Sequence, residues 1–200
     1  MITIMSFRDK YLKYKTKYLN SKMNSKMVGG SNPEKINAIC VINGDKTYDK
    51  NIDIHGTLYF NELDNGQTKI YGTIFGLSDG EHGIHIHESA DMTQCCQSLK
   101  AHYNPFGKDH GAPFIIDQNG KTITNPNRHI GDLGNIKSIN GKAEFELIDD
   151  LVKLSGKYSV IGRSIIIHND KDDLGLGGTE ESKKTGTSGK RIACGIIGLL

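Results

Sequence analysis

Two hundred residues are enough for one domain of ordinary size with a short appendage. The 24 glycines, the absence of tryptophan and the 36% apolar content, with β-branched residues in short runs, point to a loop-rich all-β fold rather than a helical one. Residues 1–28 hold seven Lys/Arg against one acidic residue, so this stretch carries +6 of an overall +2 and the rest carries −4, which excludes a basic nucleic-acid-binding core. No apolar run approaches the length of a transmembrane segment. The opening MITIMSFRDKYLKYK lacks the unbroken apolar stretch of a secretory leader, so a cytoplasmic-type location is expected. Disulfides are rare in such a compartment, which leaves Cys40, Cys95, Cys96 and Cys194 an open question.

In chain order, Phe7, Tyr11, Tyr14 and Tyr18 fall at helical spacing with lysines between them, predicting a short basic amphipathic helix over 7–22. The following NSKMVGGSNPE has linker chemistry. Residues 1–34 therefore read as a flexible basic extension and linker, with docking on a membrane surface or partner as the other reading. Residues 35–200 read as a single domain. Strand candidates follow at 35–43, 52–60, 69–77, 82–87, 142–148, 164–168 and 191–199, with a weaker one at 151–154. IDIHGTLYF and KAEFELI alternate with period two, as half-buried antiparallel strands do. Together these predict an eight-stranded Greek-key barrel or sandwich. Residues 88–135 and 169–190 read as two long excursions without strands, and loops of that length in a small domain usually carry function.

Eight histidines occur, at 55, 82, 85, 87, 102, 110, 129 and 168. His85 and His87 stand two apart at the end of a strand candidate, where both imidazoles point to one face. Alone, such a pair is more often surface or core histidine than ligand. Here His102, His110 and His129 follow in the first excursion, Asp132 lies three residues beyond His129, and His168 ends a further strand. Imidazoles suit copper and zinc, and one added carboxylate suits tetrahedral zinc. Metal ligation would also explain how so long a loop is tolerated in a small fold.

The segments HGIHIHE (82–88), HYNPFGKDHGAP (102–113), RHIGDLGN (128–135), AICVINGD (38–45) and the long run 162–198 resemble, in order, the signatures of the eukaryotic-type copper/zinc superoxide dismutases. The resemblance runs from about Ile36 to Gly198. It implies a copper site of His85, His87, His102 and His168 and a zinc site of His102, His110, His129 and Asp132, one of each metal per subunit, with His102 shared. It implies that Asp172 links ligand histidines of the two sites and that Arg191 holds the anionic substrate. Lys183, Lys184, Glu180 and Glu181 would shape the field at the entrance. The implied activity is dismutation of superoxide by alternate reduction and oxidation of copper, with His102 carrying the proton. The rival is a noncatalytic copper-binding or copper-chaperone domain of the same fold; such domains tend to lack copper ligands or the arginine, whereas all four histidines and Arg191 stand here. A homodimer, no nucleic-acid partner and a copper-delivery partner are further implications.

The resemblance also implies a disulfide between Cys96 and Cys194, with Cys95 as a competitor for Cys194. Cys40 reads as a small core residue. His82 resembles a structural histidine at the barrel end and His55 an exposed strand residue, so both stay outside the site. Two features depart from the family. FIIDQNGKTITNPNR (114–128) is longer than the family pattern and looks like an inserted hairpin about Asp117–Gly120. The ESADMTQCCQSLKA wording before His102 is unusual. YLKYKTKYLNSK is similar to a short N-terminal element of proteins from large DNA viruses, which would place the chain in a host cytoplasm or a virion.

Overall fold

The computed structural model describes residues 35–200; the helix expected over 7–22, its linker and the flexibility expected of 1–34 lie outside the described residues. Where the sequence alternates apolar and polar side chains, strands form and bury their apolar face. The clearest case is β8 (Lys142–Asp149), in which Ala143, Phe145 and Leu147 are buried while Lys142, Glu144 and Glu146 face water. The same alternation shapes β1 (Asn37–Gly44), β2 (His55–Glu62) and β3 (Thr68–Phe75). The remaining barrel strands are β4 (Gly80–His87), β7 (Asp132–Ile139), β9 (Ser164–His168) and β10 (Arg191–Leu199).

These eight strands close into an antiparallel barrel in the order β1-β10-β9-β4-β7-β8-β3-β2. Most consecutive barrel strands are neighbours, but β3 and β4 are separated by β8 and β7, and β8 and β9 by β7 and β4; these two crossovers make the expected Greek-key arrangement. Closure rests on β1, where Cys40 pairs with Leu58 of β2 on one side and Ile197 of β10 on the other. Ile42, Leu58, Phe60, Ile70, Ile74, Ile84, Ile86, Ile165 and Ile167 are fully buried. Each such side chain contributes about 2 kcal/mol of hydrophobic stabilisation. Asn140 and Gly141, both at positive φ, form the two-residue turn from β7 to β8 that an Asn-Gly pair favours.

Three expectations are corrected. The first excursion ends before Asp132, not at 135, because β7 begins there and supplies the eighth strand. Residues 151–154 make no strand: Val152 and Leu154 are buried loop anchors, and Leu151 and Val152 donate their backbone N–H groups to Asp149 Oδ1. The second excursion is not wholly irregular, since α1 (Glu180–Thr185) lies in it, capped by the Thr179 side chain and ended by Gly186 at positive φ. The inserted hairpin forms as expected, from β5 (Phe114–Ile116) and β6 (Thr122–Thr124), as a separate two-stranded sheet.

Candidate metal centre

Strand alternation builds the first half of the site. Ile84 and Ile86 of β4 point into the barrel core, so His85 and His87 stand on its outer face. On neighbouring β9, Ile165 and Ile167 face the core, which sends His168 outward beside them. The first excursion folds back so that His102 bridges His87. Ligand-capable nitrogens of His85, His87, His102 and His168 then lie within 4.8 Å of one another.

Each of these rings has one nitrogen spoken for. His87 Nδ1 lies 2.8 Å from the Lys100 carbonyl, His168 Nδ1 lies 3.1 Å from that of Gly189, and His85 Nε2 lies 2.8 Å from Asp172 Oδ2. The other nitrogens, His85 Nδ1, His87 Nε2 and His168 Nε2, are buried without a hydrogen-bond partner. Buried orphan nitrogens are costly, and three converging ones mark a place for a cation.

The second half shares His102. Its Nδ1 lies 2.9 Å from Asp132 Oδ1, and nitrogens of His110 and His129 lie 3.0 Å and 3.1 Å from the same oxygen. His102, His110, His129 and Asp132 thus form a second buried donor set, with atoms within 4.8 Å of each other. Three imidazoles and one carboxylate match tetrahedral zinc; an all-imidazole set suits copper. Asp172, fully buried, ties the two halves: it also accepts from His110 Nε2 at 2.8 Å. The carboxylate thereby fixes ring and tautomer in both sets.

Electrostatics follow from burial. Burial holds His85 and His87 well below the ordinary imidazole value, and His102 adds to the effect on both. Burial lowers His102 and pushes His168 down to about 4. Neutral imidazoles are the form that binds metal. His110 goes the other way: burial opposes it, but contacts with Asp132 and Asp172 raise it to about 9. Asp132 sits well below the usual carboxylate range against the cost of burial, because three histidines surround it.

An open pocket leads to the first set, lined in part by His87, His102, His168, Lys100 and Arg191. Arg191 starts β10, opposite His168. Its guanidinium donates to the carbonyls of Cys96 (3.0 Å), Gln97 (3.2 Å) and Lys100. The Cys96–Cys194 disulfide anchors that loop to β10 and packs with Leu99 and Ile166. Cys40 is a buried free thiol and Cys95 a half-buried one. Lys183 pairs with Glu180 at 3.1 Å on α1, and Glu181 lies on the pocket wall. His55 is exposed, and His82 spends its nitrogens on the carbonyls of His168 and Ser78, both 2.9 Å away.

Sequence reasoning passes over three supports. Asn135 grips Asp172 twice, accepting from its N–H at 2.7 Å and donating to its carbonyl at 3.0 Å. Arg128, 1% exposed, pairs with buried Asp149 and donates to the carbonyls of His129 (2.7 Å) and Ile130 (3.1 Å), holding the second set from behind. Gly186 passes so close to the Asp172–His110 hydrogen bond that a Cβ would overlap both partners. A glycine following a capped helix could have signalled this one; the other two lie far from their partners in sequence.

Two comparisons bear on this arrangement. The family model described as copper/zinc superoxide dismutase matches residues 54–197. Superoxide dismutase [Cu-Zn] A of Xenopus laevis is 42% identical over 163 residues, covering 82% of this chain and 97% of that protein. With two donor sets joined at one histidine on a Greek-key barrel, the chain belongs to the copper/zinc superoxide dismutase family.

Proposed function

We propose that the chain converts superoxide to oxygen and hydrogen peroxide, with His85, His87, His102 and His168 holding copper and His102, His110, His129 and Asp132 holding zinc. The observation that carries this reading is the position of His102 in both donor sets, between three orphan nitrogens on one side and Asp132 on the other. When bound, copper supplies two accessible oxidation states, which zinc lacks. The protein's own part is to bind, orient and protonate. Arg191 is a fixed cation at the pocket wall, held by three carbonyls, with its remaining donors available to a small anion. His102 has Nδ1 committed on the Asp132 side, so Nε2 is the atom at which it holds and gives up a proton. Asp172, Asn135 and Arg128 position the donors.

Metal analysis with a superoxide-decay assay tests the reading. Copper and zinc bound without dismutation would overturn it; His168→Ala should lose turnover, by at least a hundredfold, while retaining zinc. The proposal extends to residues 35–200 as the catalytic unit, to a homodimer and to a cytoplasmic site of action, supported by family resemblance. It includes delivery of copper by a partner, supported by the burial of all four donors. Loading by free copper salt at the rate seen in cells would argue against a delivery partner.

No described helix is long and apolar enough to cross a membrane.

A further inference from the structure

Cys95 has no part in either donor set, yet its sulfur lies within 4.8 Å of both sulfurs of the Cys96–Cys194 disulfide. It is half-buried and held at φ +51°, an uncommon conformation for a side-chain-bearing residue, in the turn that opens the 3-10 segment Cys95–Ser98. Its thiol hydrogen-bonds to Asp45, which is fully buried and also accepts from Gln97 Nε2 at 3.1 Å. The thiol therefore has a carboxylate that accepts its hydrogen bond on one side and a disulfide on the other.

We propose that Cys95 is an internal exchange partner for the structural disulfide, giving the chain two interchangeable pairings of one loop to β10. The Cys95 thiol gives up its proton to solvent water, and the Cys95 sulfur bonds to Cys194 Sγ. The Cys96–Cys194 bond breaks, its electron pair leaves on Cys96 sulfur, and that thiolate takes up a proton. One disulfide is lost and one formed, so neither oxidant nor reductant is consumed. The alternative bond between adjacent Cys95 and Cys96 would close a strained eight-membered ring, which directs attack to Cys194.

The exchange reaches the pocket through the backbone. Arg191 Nη1 is held by the carbonyls of Cys96 and Gln97, and Gln97 also touches Asp45 and the Arg191 carbonyl. Moving the crosslink from residue 96 to 95 shifts those two carbonyls relative to β10. The Cys96-linked form holds Arg191 as described, and the Cys95-linked form holds it differently.

Two measurements on the full-length, metal-loaded chain test this. In the first, native protein without reductant is alkylated, and peptide mapping reads which cysteine is modified. Cys96 should be labelled slowly alongside Cys95, and Cys95→Ser should cut Cys96 labelling about tenfold or more while leaving superoxide decay unchanged. Labelling of Cys95 alone, or Cys96 labelling equal in Cys95→Ser, overturns the proposal. In the second, Cys96→Ser is equilibrated in a glutathione buffer that keeps the native disulfide oxidised. A Cys95–Cys194 bond in most molecules is expected, with slower superoxide decay than in the native protein; two unpaired thiols overturn the proposal. The labelling experiment needs no Cys96 variant, so it decides the matter even if Cys96→Ser fails to fold.

Discussion

Asp172 accepts from a histidine of each donor set at once, so a change there reaches both metals although it touches neither pocket wall. In Asp172→Asn one ring must face an amide N–H and turn or change tautomer. Affinity for copper and for zinc should each fall about 10- to 100-fold, as for other groups that orient metal-bound imidazoles. Chelator competition on the reconstituted protein reads both constants; loss of one alone would mean that Asp172 serves only one half. The ligands themselves are easier to read from sequence than this support. His85 and His87 declare themselves by spacing on a strand, whereas Asp172 stands in a run of aspartates with nothing local to distinguish it from solvated Asp170 and Asp173. Only the family pattern singles it out, and Asn135, which ends the RHIGDLGN segment, gives no local sign that it grips a residue 37 positions away.

At the scale of elements, strands with clean alternation are legible and β7 is not. Its inward Ser138 is buried and its outward Ile139 is exposed, which inverts the polar signal, and its first residue is Asp132 of the second donor set. Chemistry occupies positions that a structural strand would fill with apolar side chains. The opposite error at 151–154 has the same origin: buried apolar residues there anchor a loop, and burial alone does not distinguish loop from strand. The loops that carry donors are tied down by discrete devices, the longest-range being the disulfide, which joins residues 98 apart. Cys194→Ser removes the crosslink and both of its pairings. It should lower the unfolding free energy of the metal-free protein by roughly 4 kcal/mol, measured by urea titration. A loss under about 1 kcal/mol would show that packing among Leu99, Ile166 and Ile196 already holds the loop.

For the whole molecule, metal and fold are linked through protons. The folded pKa of His168 is about 4, below the ordinary value, so the unfolded chain takes up a proton first as pH falls. Its contribution to stability is present above about pH 6.5 and is lost as pH drops through 4, amounting to about 3 kcal/mol in the metal-free protein. His110, raised to about 9, works in the opposite sense: its contribution is lost as pH climbs through that value. Urea unfolding at a series of pH values checks the first window; His168→Gln should flatten the slope between pH 6.5 and 4, and an unchanged slope would assign acid sensitivity elsewhere. Assembly is a separate matter: sedimentation should give twice the chain mass, and a single-chain mass at micromolar concentration would remove the homodimer. The barrel has a further consequence for how such a chain comes apart. Between β7 and β8 the register pairs only Ser138 with Ala143 and Ile139 with Lys142, next to the turn, whereas β8 pairs with β3 along its full length. The cylinder is therefore stitched unevenly, and its lightest stitching borders the strand that begins at Asp132. Parting that seam would bare two strand edges and unseat a proposed zinc donor together, so a bound ion would act as the clasp of the barrel as well as a partner in its chemistry.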